Sequence, residues 1–257
     1  MAKWTAFPHA GDYAFDAASL KKNWARLHLG DCEPLPKDPA VLQAWVLFHN
    51  GEFQKAAEAG VKAGGDGITV ANKATSIYAT YLEGKEKTKL DLFMEVAARA
   101  EAHQAADPKN ANAWYCQAYA LGRYGQGISV AKALAQGLGS KVKNALEQAL
   151  KLAPKHADAH IALGSFHAEV IDKVGSLIGA MTYGAKKDSG LAHFREALKL
   201  NPGSAIAMTE YANGMVMLEG DKRMKEATKL YEQAAACVPL DAMERLDVEM
   251  AKVELQD

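Results

Sequence analysis

Residues 142–166, VKNALEQALKLAPKHADAHIALGSF, contain one helix, a turn marked by a proline and the start of a second helix. Before the proline, Leu146, Ala149, Leu150 and Ala153 recur at the three- and four-residue spacing of one helical face. Pro154 ends this helix, because the residue before a proline is pushed out of the helical region. The pattern restarts with Ala157, Ile161 and Gly164, and we expect Gly164 to let two helix backbones approach closely.

The same unit recurs along the chain. Prolines follow a helix end four times, with separations of 46, 48 and 37 residues, at Pro108, Pro154, Pro202 and Pro239. Their contexts also match, as in AADPKNANAW, KLAPKHADAH and KLNPGSAIAM. A helix-turn-helix unit that repeats at such a period predicts a stacked array, in which neighbouring units cover each other's apolar faces.

Small and aromatic residues around these prolines resemble the tetratricopeptide repeat (TPR) family. Ala227, Tyr231, Ala234 and Pro239 look like its second helix, whereas Leu163-Gly164 and Trp114 look like its first. The resemblance covers roughly residues 92–240, and more loosely 38–91. It implies an all-α fold, a TPR-like α-solenoid of stacked antiparallel helix pairs, and leaves the activity open because such arrays serve many partners.

Two units exceed the roughly 34 residues of a standard repeat. The additional residues fall between paired helices, in two glycine-rich insertions at 123–141 and 171–190, and predict two extended helix hairpins. Lengthened pairs of this kind are similar to those of the TPR-like proteins associated with TRAP-type transporters and of the microtubule-dynamics regulator family. The insertions either form a wall beside the concave surface or pack on each other and lengthen the core.

The chain divides into three parts. Residues 1–37 form an aromatic N-terminal arm that packs on the array, residues 38–240 form the helical repeats, and residues 241–257 form a C-terminal capping helix with one apolar face. In all we expect ten to twelve helices in a short right-handed solenoid. Asp16 and Asp38 stand where helix N-caps belong.

Composition excludes several classes of protein. Hydrophobic residues make up 49% and charged residues 24%, which is typical of a globular chain. A net charge of -1 argues against nucleic-acid binding, which needs a basic surface. No apolar run is long enough for stable membrane insertion, and the N-terminus lacks a secretory pattern. Three scattered cysteines fit a reducing compartment, so we expect a cytoplasmic protein.

The sequence contains no recognisable catalytic or cofactor motif. Gly137-Leu-Gly-Ser-Lys141 has the wrong residue order for a phosphate-binding loop, and no strand precedes it. His156 and His160 share a helical face, with His167 two turns further on, but packing roles outweigh metal binding for them. We therefore predict no enzyme, no cofactor and no metal site.

Ligand contacts are expected on the first helices of the repeats. Polar and aromatic residues at concave positions form the candidate partner-binding set: Asn112, Tyr115, Tyr119, Arg123, His160, His167, Glu210 and Asn213. The acids Glu169 and Asp172 also lie on a first helix and either face the concave surface or remain solvated.

Two functions from different classes remain open. The first is a non-catalytic adaptor that binds a protein partner on its concave face. The alternative is a small-molecule binding protein, with a pocket for an apolar ligand walled by the glycine-rich insertions. Either protein has apolar insertions and an aromatic arm through which a homo-oligomer could form.

Overall fold

The computed structural model describes residues 3–256, which form α-helices, connecting segments and no strand. Fourteen α-helices occur in this range: α1 (Ala17–Leu27), α2 (Pro39–His49), α3 (Phe53–Ala63), α4 (Gly67–Tyr81), α5 (Glu86–Ala106), α6 (Ala111–Ile128), α7 (Val130–Ala135), α8 (Leu138–Leu152), α9 (Ala157–Val174), α10 (Ser176–Tyr183), α11 (Lys187–Leu200), α12 (Ala205–Glu219), α13 (Met224–Ala235) and α14 (Ala242–Glu254). A short 3₁₀ helix, Asp221–Arg223, precedes α13. The all-α prediction is confirmed.

The helices stack as pairs. Consecutive long helices contact each other from α2 to α6, and the pairs α6–α8, α9–α11 and α12–α13 continue the series. The first helices of successive pairs also touch each other: α2 contacts α4, and α9 contacts α12. This double contact, within pairs and between pairs, is the arrangement by which a helical solenoid buries its apolar faces.

The turn after each repeat proline has the same construction. The residue two positions after the proline is the N-cap of the next helix, and its side chain accepts a hydrogen bond from the backbone N–H three residues further on. These caps are Asn110, His156, Ser204 and Asp241. Because a capped N-terminus satisfies one of the helix's unpaired N–H groups, this turn fixes where each new repeat begins.

Each insertion contains a short helix of its own. Helix α7 lies in the first insertion and α10 in the second, so the number of helices exceeds the ten to twelve expected. The excess has a local cause, since Ser129 and Gly175 both adopt positive φ and break what would otherwise be long helices. The insertions are therefore ordered helical hairpins.

The two ends of the chain meet. Ala242 and Leu246 of α14 belong to the same apolar cluster as residues of α1 to α4, and Met243 packs against it. Arg26 Nη1 also donates to Glu244 Oε1 at 2.8 Å. The N-terminal arm joins this cluster, with the Trp4 ring stacked on Tyr78 at 4.2 Å between centroids. As a result α14 lies against both ends of the array and closes its concave side.

Glycines mark the closest packing, in one case differently from the expectation. A Cβ on Gly164 would lie 2.9 Å from the ring of Phe194, so this glycine makes room for an aromatic side chain rather than for a second backbone. Close backbone approach occurs instead between α3 and α4, where a Cβ on Gly60 would lie 2.5 Å from the carbonyl oxygen of Gly67. Phe194 is fully buried, and Gly214 packs against the opposite edge of its ring.

Gly214→Ala should destabilise the fold. The added Cβ would lie 2.3 Å from Phe194 Cε2, so the ring has to move within a closed core, at a cost of about 1–3 kcal/mol. Gly122→Ala is the matched control, because nothing lies within 4 Å of the added atom and alanine favours the helix by about 1 kcal/mol. Urea denaturation of both variants checks this; equal stability of the two would contradict the packing described.

Candidate functional site

A cavity of about 180 Å³ lies on the concave side of the solenoid. It is lined mainly by one helix of each pair, α4, α6, α9 and α12, together with α8, α14 and the segment around Asp31. Because α14 closes the concave side, the groove of an open solenoid is here a pocket with walls on several sides. Cavities of this kind are where binding sites are usually found.

One end of the cavity is apolar. Its walls are the first insertion and the facing side of α9, through Val130, Leu134, Leu138, Phe166 and Val170. No residue of the second insertion lines the cavity. The sequence-based expectation that both insertions wall a pocket is therefore wrong for residues 171–190, since α10 packs on α9 through Gly179 and contributes no residue to the lining.

The middle of the cavity is polar and internally paired. Arg123 Nη2 donates to Glu210 Oε1 at 3.0 Å, and its guanidinium lies 5.3 Å from the centre of the Tyr119 ring. Ser165 Oγ donates to the other Glu210 oxygen at 3.0 Å, and the Tyr119 hydroxyl is 2.9 Å from Thr80 Oγ1. Glu210 is thus paired and held in place, and the charge of Arg123 is balanced by Glu210.

Three further carboxyl groups line the cavity without a cationic partner: Asp158, Glu169 and Asp247. None lies within 4.0 Å of a lysine, arginine or histidine nitrogen in residues 3–256. Burial raises the pKa of Asp158 to about 6, that of Glu169 to about 7 and that of Asp247 to about 8. Asp247 accepts a hydrogen bond from Tyr81 and Glu169 one from Gln126. A cation entering the cavity would stabilise their ionised forms.

A buried chain of ionisable groups closes the other end. Asp31 pairs with Lys73 and accepts from His28 Nδ1 at 2.9 Å. His28 Nε2 lies 3.2 Å from His49 Nε2, and His49 Nδ1 lies 2.6 Å from Asp241 Oδ2. The side chains of His49 and Asp241 are 1% exposed, although they are 192 positions apart in sequence. This chain therefore ties α2 to the first turn of α14.

The hydrogen bonds assign the protons in this chain. Burial alone would raise the pKa of Asp31 and of Asp241, but Lys73 and His28 hold the first well below its usual range, and His49 lowers the second. Both carboxylates are ionised and accept, so His28 Nδ1 and His49 Nδ1 each carry a proton. Burial lowers the pKa of His28, so this ring stays neutral, and its Nε2 lies within hydrogen-bond distance of His49 Nε2. Lys73 lies against Asp31 and supplies a positive charge to this chain.

A second polar group lies beside this chain. Asn112 Nδ2 donates to Glu33 Oε2 at 2.6 Å and to the Asp31 carbonyl at 3.0 Å, and its Oδ1 lies 2.9 Å from His156 Nε2. His156 Nδ1 accepts the capping hydrogen bond from the Ala159 N–H at 3.1 Å, so the ring proton is on Nε2. Burial raises the pKa of Glu33 to about 8 and lowers the pKa of His156 to about 4. Both are neutral near pH 7.

The structure separates the predicted ligand-contact residues into two groups. Tyr115, Tyr119, Arg123 and Glu210 line the cavity. The others lie outside its lining. Asn112 is buried behind the wall, and Asn213 pairs with Tyr231. His160 Nδ1 is 2.8 Å from His193 Nδ1, and His167 accepts from the Lys186 N–H. For these four residues a binding role stays a prediction.

Of the two predicted acids on α9, Glu169 faces the cavity and Asp172 lies outside it, paired with Lys173. In residues 3–256 no three histidine, cysteine or acidic side chains are placed so that they could hold a metal ion. Within that range, too, no helix is long and apolar enough to cross a membrane.

Sequence reasoning missed the buried acids of the N-terminal connector and Asp158, Asp247 and Lys73. In the connector DCEPLPKDP the acidic residues Asp31 and Glu33 are 2% and 6% exposed. One usable signal existed for Asp241 and His156, since both stand two positions after a repeat proline, where the neighbouring caps are Asn110 and Ser204. A cap that can also ionise is a candidate for a second role.

Comparison with known families agrees with this architecture. The model of the family described as regulator of microtubule dynamics protein 1-3 matches residues 61–256, well over half of the chain. The chain belongs to this family. The family member described here resembles, among solved structures, a thermophilic TPR protein of Thermus thermophilus, with a TM-score of 0.57 and 16% identity over 83% of this chain and 97% of that one. Among curated proteins none matches significantly.

The likeness to the thermophilic protein shows a TPR-like fold. The matched range begins at residue 61, so His28, Asp31, Glu33 and His49 lie outside it. The closing chain of ionisable groups is therefore built in part from a segment beyond the family match.

His49→Ala should destabilise this family member by about 3–5 kcal/mol, because it leaves the buried Asp241 carboxylate without its partner. Lys55→Ala, which breaks the exposed pair with Glu52, should cost less than about 1 kcal/mol and serves as the control. Urea denaturation near pH 7 followed by tryptophan fluorescence checks both, since Trp45 packs on His49. A cost for His49→Ala no larger than that of the control would contradict the assigned pairing.

Glu33→Gln should gain stability relative to the wild type as the pH rises. Since the pKa of Glu33 is raised from 4.5 to about 8, the folded wild type holds a proton that the unfolded chain releases between these values. The stability that the wild type gains from this proton is fully present below pH 4.5. It is lost as the pH rises toward about 8, by up to about 1.4 kcal/mol per pH unit. Glutamine does not ionise, so the variant lacks this loss of stability with rising pH.

Denaturation of the wild type and of Glu33→Gln at about pH 5 and about pH 8 measures this difference. Glu101→Gln, at an exposed position of α5, is the control and should follow the wild type at both values. A pH-independent difference between Glu33→Gln and the wild type would show that Glu33 is not protonated in the folded protein.

Proposed function

We propose that this protein is a non-catalytic cytoplasmic interaction module that binds a segment of a protein partner in its concave cavity. The supporting observation is the lining of the cavity, which combines an apolar end with three carboxyl groups that have no cationic nitrogen of residues 3–256 within 4.0 Å. TPR-like arrays commonly bind extended or helical segments in this position, but the chemistry of the occupant has to come from the residues themselves.

The charges favour a basic occupant. Lys73 and Arg123 are the cationic residues among the described residues that line the cavity, and each is already paired, with Asp31 and Glu210 respectively. A lysine or arginine of the partner would meet one of these carboxyl groups, Asp158, Glu169 or Asp247, and favour its ionised form. An apolar side chain next to it would fill the end walled by Leu134 and Phe166. The proposed recognition element is thus a basic residue beside an apolar one.

The family description supports a protein partner. Regulation of microtubule dynamics, which it names, acts on a protein assembly. The three cysteines are free, which fits the reducing cytoplasm.

The apolar end also favours a second candidate function, binding of a small apolar molecule. Val130, Leu134 and Leu138 of the first insertion form a continuous apolar wall there. Native mass spectrometry of the purified protein separates the two functions, since a carrier retains a mass that is lost on denaturation.

Selection from a random peptide library, followed by fluorescence anisotropy of the enriched peptides, tests the proposed function. We expect peptides that carry a basic residue next to an apolar one, and at least tenfold weaker binding to Gly122→Trp. Gly122 lines the cavity and nothing lies within 4 Å of its added Cβ, so a large side chain can leave the helix at this point. Asp247→Asn should weaken the binding of peptides that carry a basic residue and leave the binding of other peptides unchanged.

Gly84→Trp is the matched control, at an exposed glycine outside the cavity lining that also has free space around its added Cβ. It should bind every selected peptide like the wild type. Peptides that bind Gly122→Trp and the wild type equally would place the binding surface elsewhere and refute the proposal.

A further inference from the structure

Helix α10 in the second insertion leaves its apolar side chains in solvent. Leu177 is 72% exposed, Ile178 55% and Met181 80%, and we call these three residues the apolar tip. Gly179 is the only residue of α10 that is buried, where it packs against Val170 and Ile171 of α9. The helix therefore touches the body of the protein along one narrow line and presents the rest of its surface outward. Clustered exposed apolar residues of this kind usually mark a contact surface.

Unpaired lysines flank the apolar tip. The acids of the second insertion are Asp172, which pairs with Lys173, and Asp188. Residues 128–141 of the first insertion and 175–186 of the second contain three lysines, Lys132, Lys141 and Lys186, and no acidic residue. None of the three forms an ion pair with any residue in the range 3–256. The whole chain has a net charge of -1, so the positive charge at this end is offset by an acidic remainder.

The two insertions are joined at this end of the molecule. Gly139, in the first turn of α8, lies against Tyr183 at the end of α10. A Cβ added to Gly139 would lie 3.4 Å from Tyr183 Cδ1. Lys141 follows Gly139 by two residues, and Lys186 follows Tyr183 by three. Both lysines are exposed. The end of α10 thus lies against the start of α8, and Lys141 and Lys186 are exposed near this contact.

The unpaired lysines favour a partner surface with negative charge. A second copy of this chain that docked by the same surface would bring three unpaired lysines against the same three lysines, which is unfavourable. We propose that the apolar tip docks on the surface of an anionic lipid bilayer. Leu177, Ile178 and Met181 enter the boundary between headgroups and acyl chains, and the lysines contact the anionic headgroups. Docking is peripheral and reversible, because one short helix supplies the apolar contact.

Co-sedimentation with large unilamellar vesicles tests this, using phosphatidylcholine alone and phosphatidylcholine mixed with phosphatidylglycerol. The wild type should bind the mixed vesicles and lose binding as salt is raised. Leu177→Ser combined with Met181→Ser should weaken binding at least tenfold. Lys141→Glu combined with Lys186→Glu should weaken it at least as much, since each lysine near an anionic surface contributes about fivefold.

Two double variants control for exposure and for net charge. Val61→Ser with Val253→Ser removes exposed apolar side chains elsewhere, and Lys22→Glu with Lys62→Glu makes the same charge change at exposed positions of α1 and α3. Both should bind like the wild type, as should Gly122→Trp, which separates docking from any event in the cavity.

Absence of sedimentation, equal binding to neutral and anionic vesicles, or wild-type binding by the tip variants would each overturn the proposal. Sedimentation velocity of the wild type gives a second reading that needs no variant. A dimer that Leu177→Ser with Met181→Ser converts to monomer would assign the apolar tip to a second copy instead of a bilayer.

Discussion

The buried pair of His49 and Asp241 is the contact on which the rest of this structure depends. It joins the end of α2 to the N-cap of α14, at 2.6 Å and almost without solvent. A charged pair in such a place is stable only when each remaining polar atom has a partner. His28, Asp31 and Lys73 meet that condition, since His28 lies against His49 and is tied through Asp31 to the cation of Lys73.

Closure gives the concave surface its character. An open TPR-like groove is accessible along its whole length, whereas α14 and the Asp31 segment here form additional walls and enclose the carboxyl groups of Asp158 and Asp247. Burial then raises the pKa of both, which would not follow in an open, solvated groove. The same closure that stabilises the fold therefore leaves carboxyl groups in the cavity whose ionisation an entering cation would favour.

The sequence predicted the repeats because helix periodicity and the proline turns are local. It also predicted that Tyr119, Arg123 and Glu210 lie on concave helices, since these positions follow from helix phase. The meeting of residues 192 positions apart was beyond reach, because no local pattern specifies which cap of one repeat contacts a helix from another. The placement of α10 away from the cavity was missed for a related reason. Apolar composition does not distinguish a wall from an exposed tip.

Hydrogen–deuterium exchange of the wild type and of Asp241→Asn tests the central claim, that the two chain ends form one closed unit. We expect α14 and the distant helices α1, α2 and α4 to lose protection together in the variant, while α6 to α11 keep theirs. The exchange would then report one cooperative unit made from both ends of the chain. Loss of protection in α14 alone would show that this helix merely caps an open array, and would contradict the account.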